Sequence, residues 1–367
     1  MKVRKTISLL LCFVLAAVSL PFSVTAAGTS YGGIINVRDY IADETADCSE
    51  IIQHIIDTNP NRTLYFGDGT YLLKKSIITP ADPSRSVDLQ LSNYALLKAE
   101  EGFYGKAVVR LGGKDAANNI EIAGSCYSLT GGIIDACGRA EAVSIESGRE
   151  TKIQNLSIKN AVVGIHIYFG ANSGSSDADI SDVNITGTGG TDSVGMIVEG
   201  YDNTFTNMRI GHVHTGVILT GGGNCLRNIH PLYYSGEENY ESSCGFFDES
   251  GGNLYDYCYS DQFCTGFFIA GSSQNIYNDC FCYWYAPMGK NETAVRCTGR
   301  FNSVFTSFRI GFREGTENTV LSAEKAGKGV FRDLIVDKSL CGRNKTYRFY
   351  IGESLIYKIR RIFFFLY

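Results

Sequence analysis

A pattern of apolar and polar positions recurs along the second half of the chain. It consists of an apolar residue, any residue, Asn, Asp or Ser, an apolar residue, any residue and a last apolar residue. Successive copies begin 21 to 28 residues apart, at Ile153, Ile180, Phe205, Leu226, Leu254, Tyr277, Phe305 and Phe331. Recurrence at such a period is typical of a repeat architecture.

A second element, a glycine followed by apolar residues, lies between the copies. It occurs at Gly164, Gly195, Gly216, Gly245 and Gly266, and Ala294 takes its place once. These apolar segments are short, are bounded by turn residues and lack a helical period, which indicates β-structure throughout. A coil of about 25 residues with two or three short strands is the unit of a parallel β-helix. We therefore predict an all-β solenoid of this kind.

The polar position of the repeat is predicted to be structural. Stacked coils would bring these side chains into one column at a turn, where they can satisfy backbone groups that a bent strand leaves unpaired. The predicted column is Asn155, Asp182, Asn207, Asn228, Asp256, Asp279 and Asp333.

The region before the repeat resembles the N-terminal segment of the pectate-lyase superfamily. The matching stretches are "INVRDYIADETADCSEIIQHIID", "TLYFGDGTYLL" and, further on, "GGIIDACG". The resemblance covers about residues 34 to 340 and implies a right-handed parallel β-helix with carbohydrate as the ligand class. Residues Ser49 to Asp57 are predicted to form a short N-terminal helix that covers the open end of the coil stack.

Three segments divide the chain. Basic residues, an apolar run from Ile7 to Leu20 and small residues up to Ala27 predict a bacterial-type signal peptide over residues 1–27, and hence a secreted, extracellular protein. Residues 28–341 are predicted to form the β-helix domain. Residues 342–367 are basic and aromatic, and we interpret them as a closing strand or cap, with a surface-association tail as the alternative.

Charge and cysteine content exclude several classes of protein. The net charge of −5, without a basic cluster, argues against a nucleic-acid partner. Beyond the first segment, no apolar stretch is long enough for a stable membrane span. None of the 12 cysteines forms a CxxC pair, so no zinc-ribbon or redox site is predicted, and most cysteines should be buried thiols. No cofactor is expected, and the oligomeric state stays open.

Candidate functional residues follow the repeat copies on the side of the coil that takes insertions. Loops tolerate insertions at low cost and often carry function over a rigid scaffold. Aromatic faces beside carboxylates suit sugar rings, so we expect a groove that binds a polysaccharide or oligosaccharide. The candidate catalytic residues are Asp261, Glu237, Glu238, Asp192, His212 and His214. The candidate substrate-binding residues are Trp284, Tyr285, Tyr233, Tyr234, His230 and Arg313.

Three functions remain open at this stage. Glycoside hydrolysis needs two carboxyl groups about 5 to 10 Å apart, and Asp261 with Glu237 or Glu238 is the favoured pair. A polysaccharide lyase would need a base such as His212, His214 or Tyr233, and Ca²⁺ or basic groups to neutralise a uronic acid. The polygalacturonase branch of the superfamily carries motifs that this chain matches too poorly to transfer its mechanism. The third function is non-catalytic glycan binding by a surface β-helix protein.

Overall fold

The computed structural model describes residues 33–114, 127–169, 176–285, 291–313, 319–336, 347–352 and 354–359. The predicted signal peptide and much of the predicted C-terminal segment lie outside these residues. Within them, 31 strands form one continuous hydrogen-bonded sheet that is wound into coils. Each coil contributes to three ladders of stacked parallel strands, here called the first, second and third ladder in chain order.

The first ladder contains the strand that opens each repeat copy. Its strands are Ile34–Asn36, Arg62–Phe66, Val87–Leu91, Ser128–Thr130, Lys152–Gln154, Asp179–Ser181, Leu254–Asp256, Ile276–Asn278, Val304–Thr306 and Val330–Arg332. Two longer strands, Thr204–Gly211 and Cys225–Leu232, run through the first and second ladders.

The second and third ladders complete the coil. Two long strands, Gly69–Pro80 and Ala95–Lys114, run through both. The second ladder continues with Ile133–Asp135, Ser157–Ala161, Asn184–Gly187, Tyr259–Asp261, Phe281–Trp284, Arg309–Phe312 and Ile335–Val336. The third ladder continues with Glu141–Ile145, Val163–Ile167, Val194–Val198, Thr215–Leu219, Cys244–Asp248, Thr265–Ile269, Thr293–Arg300, Thr319–Lys325 and Tyr347–Ile351. Ser354–Ile359 pairs antiparallel with the last of these strands.

The predicted right-handed parallel β-helix is confirmed, with its core inside the coils. Equivalent apolar residues of consecutive coils pair in register, as Ile153 does with Ile180 and Ile180 with Phe205. These residues are buried. The glycine element is also in register, and its close packing explains the residue type. A Cβ at Gly195 would collide with the Gly216 carbonyl oxygen and the Ile210 side chain, so only glycine fits.

One repeat copy is displaced by one residue from the prediction. Leu226 pairs with Tyr255, so this copy begins at Tyr255 and not at Leu254. A shift of one residue moves every side chain of a strand to the opposite face. Asp256 therefore lies outside the predicted column, and its carboxylate accepts a hydrogen bond from Arg227 at 2.9 Å.

The polar column is otherwise present, and backbone conformation explains it. Its members adopt the left-handed conformation, which Asn and Asp tolerate better than other residues with a Cβ. Their φ angles lie between 51° and 57° at Asn155, Asp182, Asn207, Asn228, Asp279, Ser307 and Asp333, and Tyr257 takes the place of Asp256 with φ 52°. The side chains also bond to one another, because Asn228 Nδ2 donates to Asn207 Oδ1 at 2.9 Å.

A second polar column, inside the coil, is not predicted by the sequence analysis. It occupies the position two residues before each repeat copy, at Asn203, Asn224, Asn253 and Asn275, all of them buried. Each side-chain Oδ1 accepts the backbone N–H of the equivalent residue one coil earlier, as from Asn203 to Asn224 at 3.0 Å and from Asn224 to Asn253 at 2.9 Å. The column pairs backbone donors at a bend that strand pairing leaves open.

The predicted capping helix spans Ser49–Thr58 and covers the first coil. Ile52, Ile55 and Ile56 are buried, and their spacing places them on one helix face. Asp47 caps the helix, because its Oδ1 accepts the Ser49 N–H at 3.0 Å.

The exposed column yields a stability prediction at Asn207. Replacing Asn207 with Ala should lower the free energy of unfolding by about 1 to 3 kcal/mol, through lost side-chain hydrogen bonds and left-handed strain. Asn207→Gly removes the hydrogen bonds but not the conformational fit, so it should be the milder change. Equal stabilities for the two variants in chemical denaturation would contradict the conformational part of this account.

The inner column yields a larger expected effect at Asn224. Its Nδ2 donates to the carbonyl oxygens of Gly200 and Gly221, while its Oδ1 accepts from Asn203. Asn224→Ala would leave several buried groups unpaired, each at about 1 to 3 kcal/mol. We expect a greater loss of unfolding free energy than for Asn207→Ala, measured under the same conditions. A smaller loss would show that the buried hydrogen bonds contribute little.

Candidate functional site

A group of ionisable side chains in mutual contact lies on the outer face of the third ladder, in the N-terminal half of the coil stack. Successive side chains of a strand point to opposite faces, and the in-register stacking aligns outward positions from coil to coil. Arg110, Ser144 and His166 are such neighbours. Two glutamates approach the His166 ring. Glu141 begins the strand that contains Ser144, and Glu199 follows the strand Val194–Val198, one coil after the His166 strand.

His166 stands between two carboxylates. Its Nδ1 is 2.9 Å from Glu141 Oε1, and its Nε2 is 3.2 Å from Glu199 Oε1. Only 9% of the His166 side chain is exposed. The imidazole thus bridges the two side chains and fixes their positions relative to each other.

Tyr168 and Lys106 extend the contacts around Glu141. The Tyr168 hydroxyl donates to Glu141 Oε1 at 2.6 Å, and its ring stacks on His166 with the centroids 3.5 Å apart. The Lys106 ammonium lies over the Tyr168 ring, 3.0 Å from its centroid. Burial and the hydrogen bond to Glu141 raise the pKa of Tyr168, so this residue is a neutral hydrogen-bond donor at physiological pH.

A third carboxylate, Glu146, is fixed by Arg110. The guanidinium donates twice, from Nε to Oε1 at 2.6 Å and from Nη2 to Oε2 at 2.7 Å, and Ser144 Oγ donates at 2.9 Å. Burial alone would raise the pKa of Glu146, but the hydrogen bonds from Arg110 and Ser144 outweigh it and hold the pKa below its ordinary value. Glu146 is thus an ionised partner of Arg110.

Glu141 and Glu199 pair with His166 and not with an arginine in the described ion pairs. Glu199 is the more exposed, at 34% of its side chain against 15% for Glu141. Glu141 Oε2 has no hydrogen-bond partner among the described protein groups. We call Glu141, His166 and Glu199 the His166 cluster.

The sequence analysis did not predict the His166 cluster. The predicted site residues lie mostly in the insertions that follow the second ladder, whereas the residues of the His166 cluster belong to the third ladder and its edges. A usable signal existed, because His166 is the outward residue of a glycine element whose other residues are apolar.

The predicted residues Asp261 and His230 are brought together. His230 Nε2 is 2.8 Å from Asp261 Oδ2, and the imidazole stacks on Tyr259 with the centroids 3.7 Å apart. The two glutamates that were predicted to form a carboxylate pair with Asp261 lie on the surface. Glu237 and Glu238 are exposed on the 3-10 helix Glu237–Ser242, and neither forms an ion pair or hydrogen bond with Asp261 among the described contacts.

Trp284 and Tyr233 were predicted to bind substrate, and the structure buries both in the core. Trp284 stacks on Phe312 of the next coil at 4.5 Å, and its Nε1 donates to the Phe263 carbonyl at 2.7 Å. The Tyr233 hydroxyl donates to the Gly236 carbonyl at 2.8 Å. Trp284 ends a second-ladder strand and points inward, so it cannot line the predicted groove.

The other predicted residues are distributed along the same side. Tyr234 and Tyr285 are exposed, and Tyr234 stacks on His212 at 5.2 Å. His214 Nε2 contacts Ser242 Oγ at 3.0 Å, and burial lowers the pKa of His214.

Asp192 and Arg313 complete the predicted set. Asp192 is exposed, and Arg313 Nη2 donates to the buried Glu292 at 3.1 Å. Arg313 is therefore engaged with a carboxylate of the protein itself.

The described residues contain no group of three or more His, Cys, Asp or Glu side chains arranged to hold a metal ion. The cysteines in this part of the chain are all unpaired, and most are buried. Among the helices that the structure describes, none is long and apolar enough to cross a membrane.

Similarity to known proteins is structural. No family model and no curated protein matches the sequence. The endo-xylogalacturonan hydrolase of Aspergillus tubingensis superposes with a TM-score of 0.63 at 14% identity, over 88% of this chain and 96% of that one. An alginate lyase from Paenibacillus sp. gives 0.54 at 13%, over 82% and 99%. PfbA, a surface adhesin of Streptococcus pneumoniae, gives 0.52 at 13%, over 87% and 90%. At these identities the comparisons establish a shared fold, the parallel β-helix.

The Arg110–Glu146 pair yields a prediction on stability and pH. Arg110→Met leaves a largely buried carboxylate unpaired and should lower the free energy of unfolding by about 2 kcal/mol at neutral pH. The native pair holds the pKa of Glu146 below 4.5, so its contribution is present above that value and is lost as the pH falls further. The difference between native protein and variant should therefore shrink in acid.

The double variant Arg110→Met with Glu146→Met is the matched control for this pair. It removes the unpaired charge and should recover most of the stability at neutral pH. If the double variant is as unstable as Arg110→Met, the loss of unfolding free energy comes from the packing of the arginine and not from an unpaired charge.

Proposed function

We propose that this protein is a secreted carbohydrate-active enzyme that hydrolyses glycosidic bonds of an extracellular polysaccharide at the His166 cluster. The observation that carries the proposal is the pair of carboxylates held on either side of one buried imidazole. Secretion is supported by the order of basic, apolar and small residues at the start of the sequence. The hydrolase and lyase among the structural neighbours support carbohydrate as the substrate class.

The separation of the two carboxylates fits this chemistry. Both contact the same ring, so the two bonded oxygens are no more than about 8 Å apart. Glycosidases use pairs at about 5 to 5.5 Å for retention of configuration and about 6.5 to 9.5 Å for inversion. The pair in the His166 cluster is compatible with either outcome.

The hydrogen bonds suggest a role for each residue. Glu141 Oε1 accepts from Tyr168 and contacts His166 Nδ1, and we assign Glu141 the role of the acid that protonates the leaving-group oxygen. Glu199 contacts His166 Nε2 and accepts the Phe169 N–H, and we assign it the role at the anomeric carbon, directly or by deprotonating a water. His166, which contacts both carboxyl groups, is a positioning residue for the pair.

The charge of the site favours neutral sugars and hydrolysis over elimination. Three glutamates face Arg110 and Lys106, and Arg110 is already neutralised by Glu146. A lyase must neutralise a uronic acid carboxylate. Of the two described cations beside the cluster, Arg110 pairs with Glu146 and Lys106 lies over the Tyr168 ring. The raised pKa of Tyr168 also makes it a poor base. A second candidate is binding without cleavage, for which the fold shared with an adhesin is the supporting observation.

Conservative amide substitutions test the proposal. Glu141→Gln and Glu199→Gln should each lower kcat by about a hundredfold to ten-thousandfold, because they remove the acid and the base without changing shape. The measurement is release of reducing ends from a panel of neutral and uronic polysaccharides. Glu237→Gln, which changes an exposed glutamate outside the cluster, is the matched control and should retain the native rate.

Several results of this experiment would contradict the proposal. Native turnover in both cluster variants would remove the His166 cluster as the active centre. Products that absorb as unsaturated uronides would indicate a lyase. Binding of a polysaccharide by the native protein without any release would favour the binding function.

A further inference from the structure

We infer a second, non-catalytic glycan-binding site on the second ladder, formed by His230, Asp261, Tyr234 and Tyr285 and here called the His230 site. The inference rests on the proposed function for its ligand class, a carbohydrate chain. Its geometry is independent of the His166 cluster, because the two groups occupy different ladders.

Two exposed tyrosines follow the strands that flank the Asp261 strand, each two residues beyond the register partner of Asp261, and the Tyr234 ring also stacks on His212. Leu232 pairs with Asp261, and Asp261 pairs with Tyr283, so Tyr234 lies one coil before Asp261 and Tyr285 one coil after it. Consecutive coils are about 4.8 Å apart, which separates the two tyrosines by about 10 Å along the axis. Both side chains are about half exposed, at 52% and 56%. Two tyrosines at this spacing can contact neighbouring sugar rings of one chain.

The polar pair between the rings suits sugar hydroxyls. His230 Nε2 is bonded to Asp261 Oδ2, which orients the ring and leaves Nδ1 for a ligand. Asp261 Oδ1 has no hydrogen-bond partner among the described protein groups, although the side chain is only 15% exposed. That oxygen is shielded from solvent, so Asp261 serves to hold the His230 ring, and a sugar hydroxyl would bond to His230 Nδ1.

Packing behind the site holds these groups in place. Tyr259 stacks on His230, and Phe281 stacks on Tyr259 with the centroids 4.2 Å apart. The Tyr285 N–H donates to Gln262 Oε1, and Gln262 itself is in the left-handed conformation with φ 65°. A preorganised site of this kind loses little entropy on binding.

The chemistry of the site indicates binding and not catalysis. Hydrolysis needs two carboxyl groups, and the described contacts of the Asp261 side chain include one histidine and no second carboxylate. A chain held at the His230 site would raise the local concentration of its other segments at the His166 cluster. The site should therefore matter for polymers more than for short oligosaccharides.

Binding and turnover are measured separately to test the inference. The first assay is retention of the full-length protein on the insoluble polysaccharide that it binds best, for native protein, Tyr285→Ala and Asp261→Asn. Each variant should weaken retention about tenfold. Tyr94→Ala changes an exposed tyrosine elsewhere and should bind as the native protein does. A matched thermal melt for every variant excludes misfolding.

The second assay compares kcat/KM on polymer and on a short oligosaccharide. The loss on polymer should exceed the loss on the short substrate about tenfold in both site variants, and Glu199→Gln should lose turnover but keep retention. If Tyr285→Ala and Asp261→Asn are retained on the polysaccharide as strongly as the native protein, the second site is wrong, whether or not the variants still turn over substrate. Equal loss on both substrates in Asp261→Asn would make Asp261 catalytic. Retention that depends on Tyr285 in a protein without turnover would support the site while contradicting the proposed hydrolase.

Discussion

The structure depends on in-register stacking of consecutive coils. Each strand lies about 4.8 Å from its equivalent one coil away, so every side chain meets the side chain of the same position in the next coil. Apolar rings satisfy this condition by stacking, as Tyr255 and Tyr277 do at 4.5 Å and Tyr277 and Phe305 at 4.2 Å. A polar residue in the interior needs a hydrogen-bond partner at the equivalent position of the next coil, and asparagine offers a donor and an acceptor in one side chain. The buried Asn203–Asn224–Asn253 column is the consequence.

The same constraint governs charges on the outer faces. Like charges at one position would be stacked at short distance, which is unfavourable. Opposite charges on adjacent coils remove the problem, as in Arg227 with Asp256 and Arg110 with Glu146. Three glutamates gather in and beside the His166 cluster, where Arg110 pairs with Glu146 and the His166 ring bridges Glu141 and Glu199. A concentration of carboxylates that requires such compensation is more readily explained by chemistry than by stability.

Much of the fold follows from the sequence, because stacking imposes a period on it. The apolar positions, the glycine element and the polar column at the turn are predicted from spacing, and the capping helix is predicted from the resemblance of the N-terminal segment. The error at Leu254 has a physical cause: the residues from Leu254 match the pattern, whereas pairing with Leu226 selects a register one residue later, in which Tyr257 takes the polar position. Trp284 was placed in a groove because a large aromatic residue near a loop suits a ligand, whereas strand alternation turns it into the core.

The residues of the candidate site were harder to find, since position on the coil and not residue type distinguishes them. His166 and Glu199 are separated by a full coil in sequence, and nothing in their local surroundings links them before the strands are stacked. Loop insertions, on which the sequence analysis concentrated, vary in length and conformation from coil to coil. Outward side chains of paired strands are fixed by the ladder itself, and sites built on such elements hold reactive geometry more accurately than sites on loops. The rigid outer faces of a β-helix are therefore suited to catalysis, while exposed residues beside them, such as Tyr234 and Tyr285, can bind an extended chain without the same accuracy.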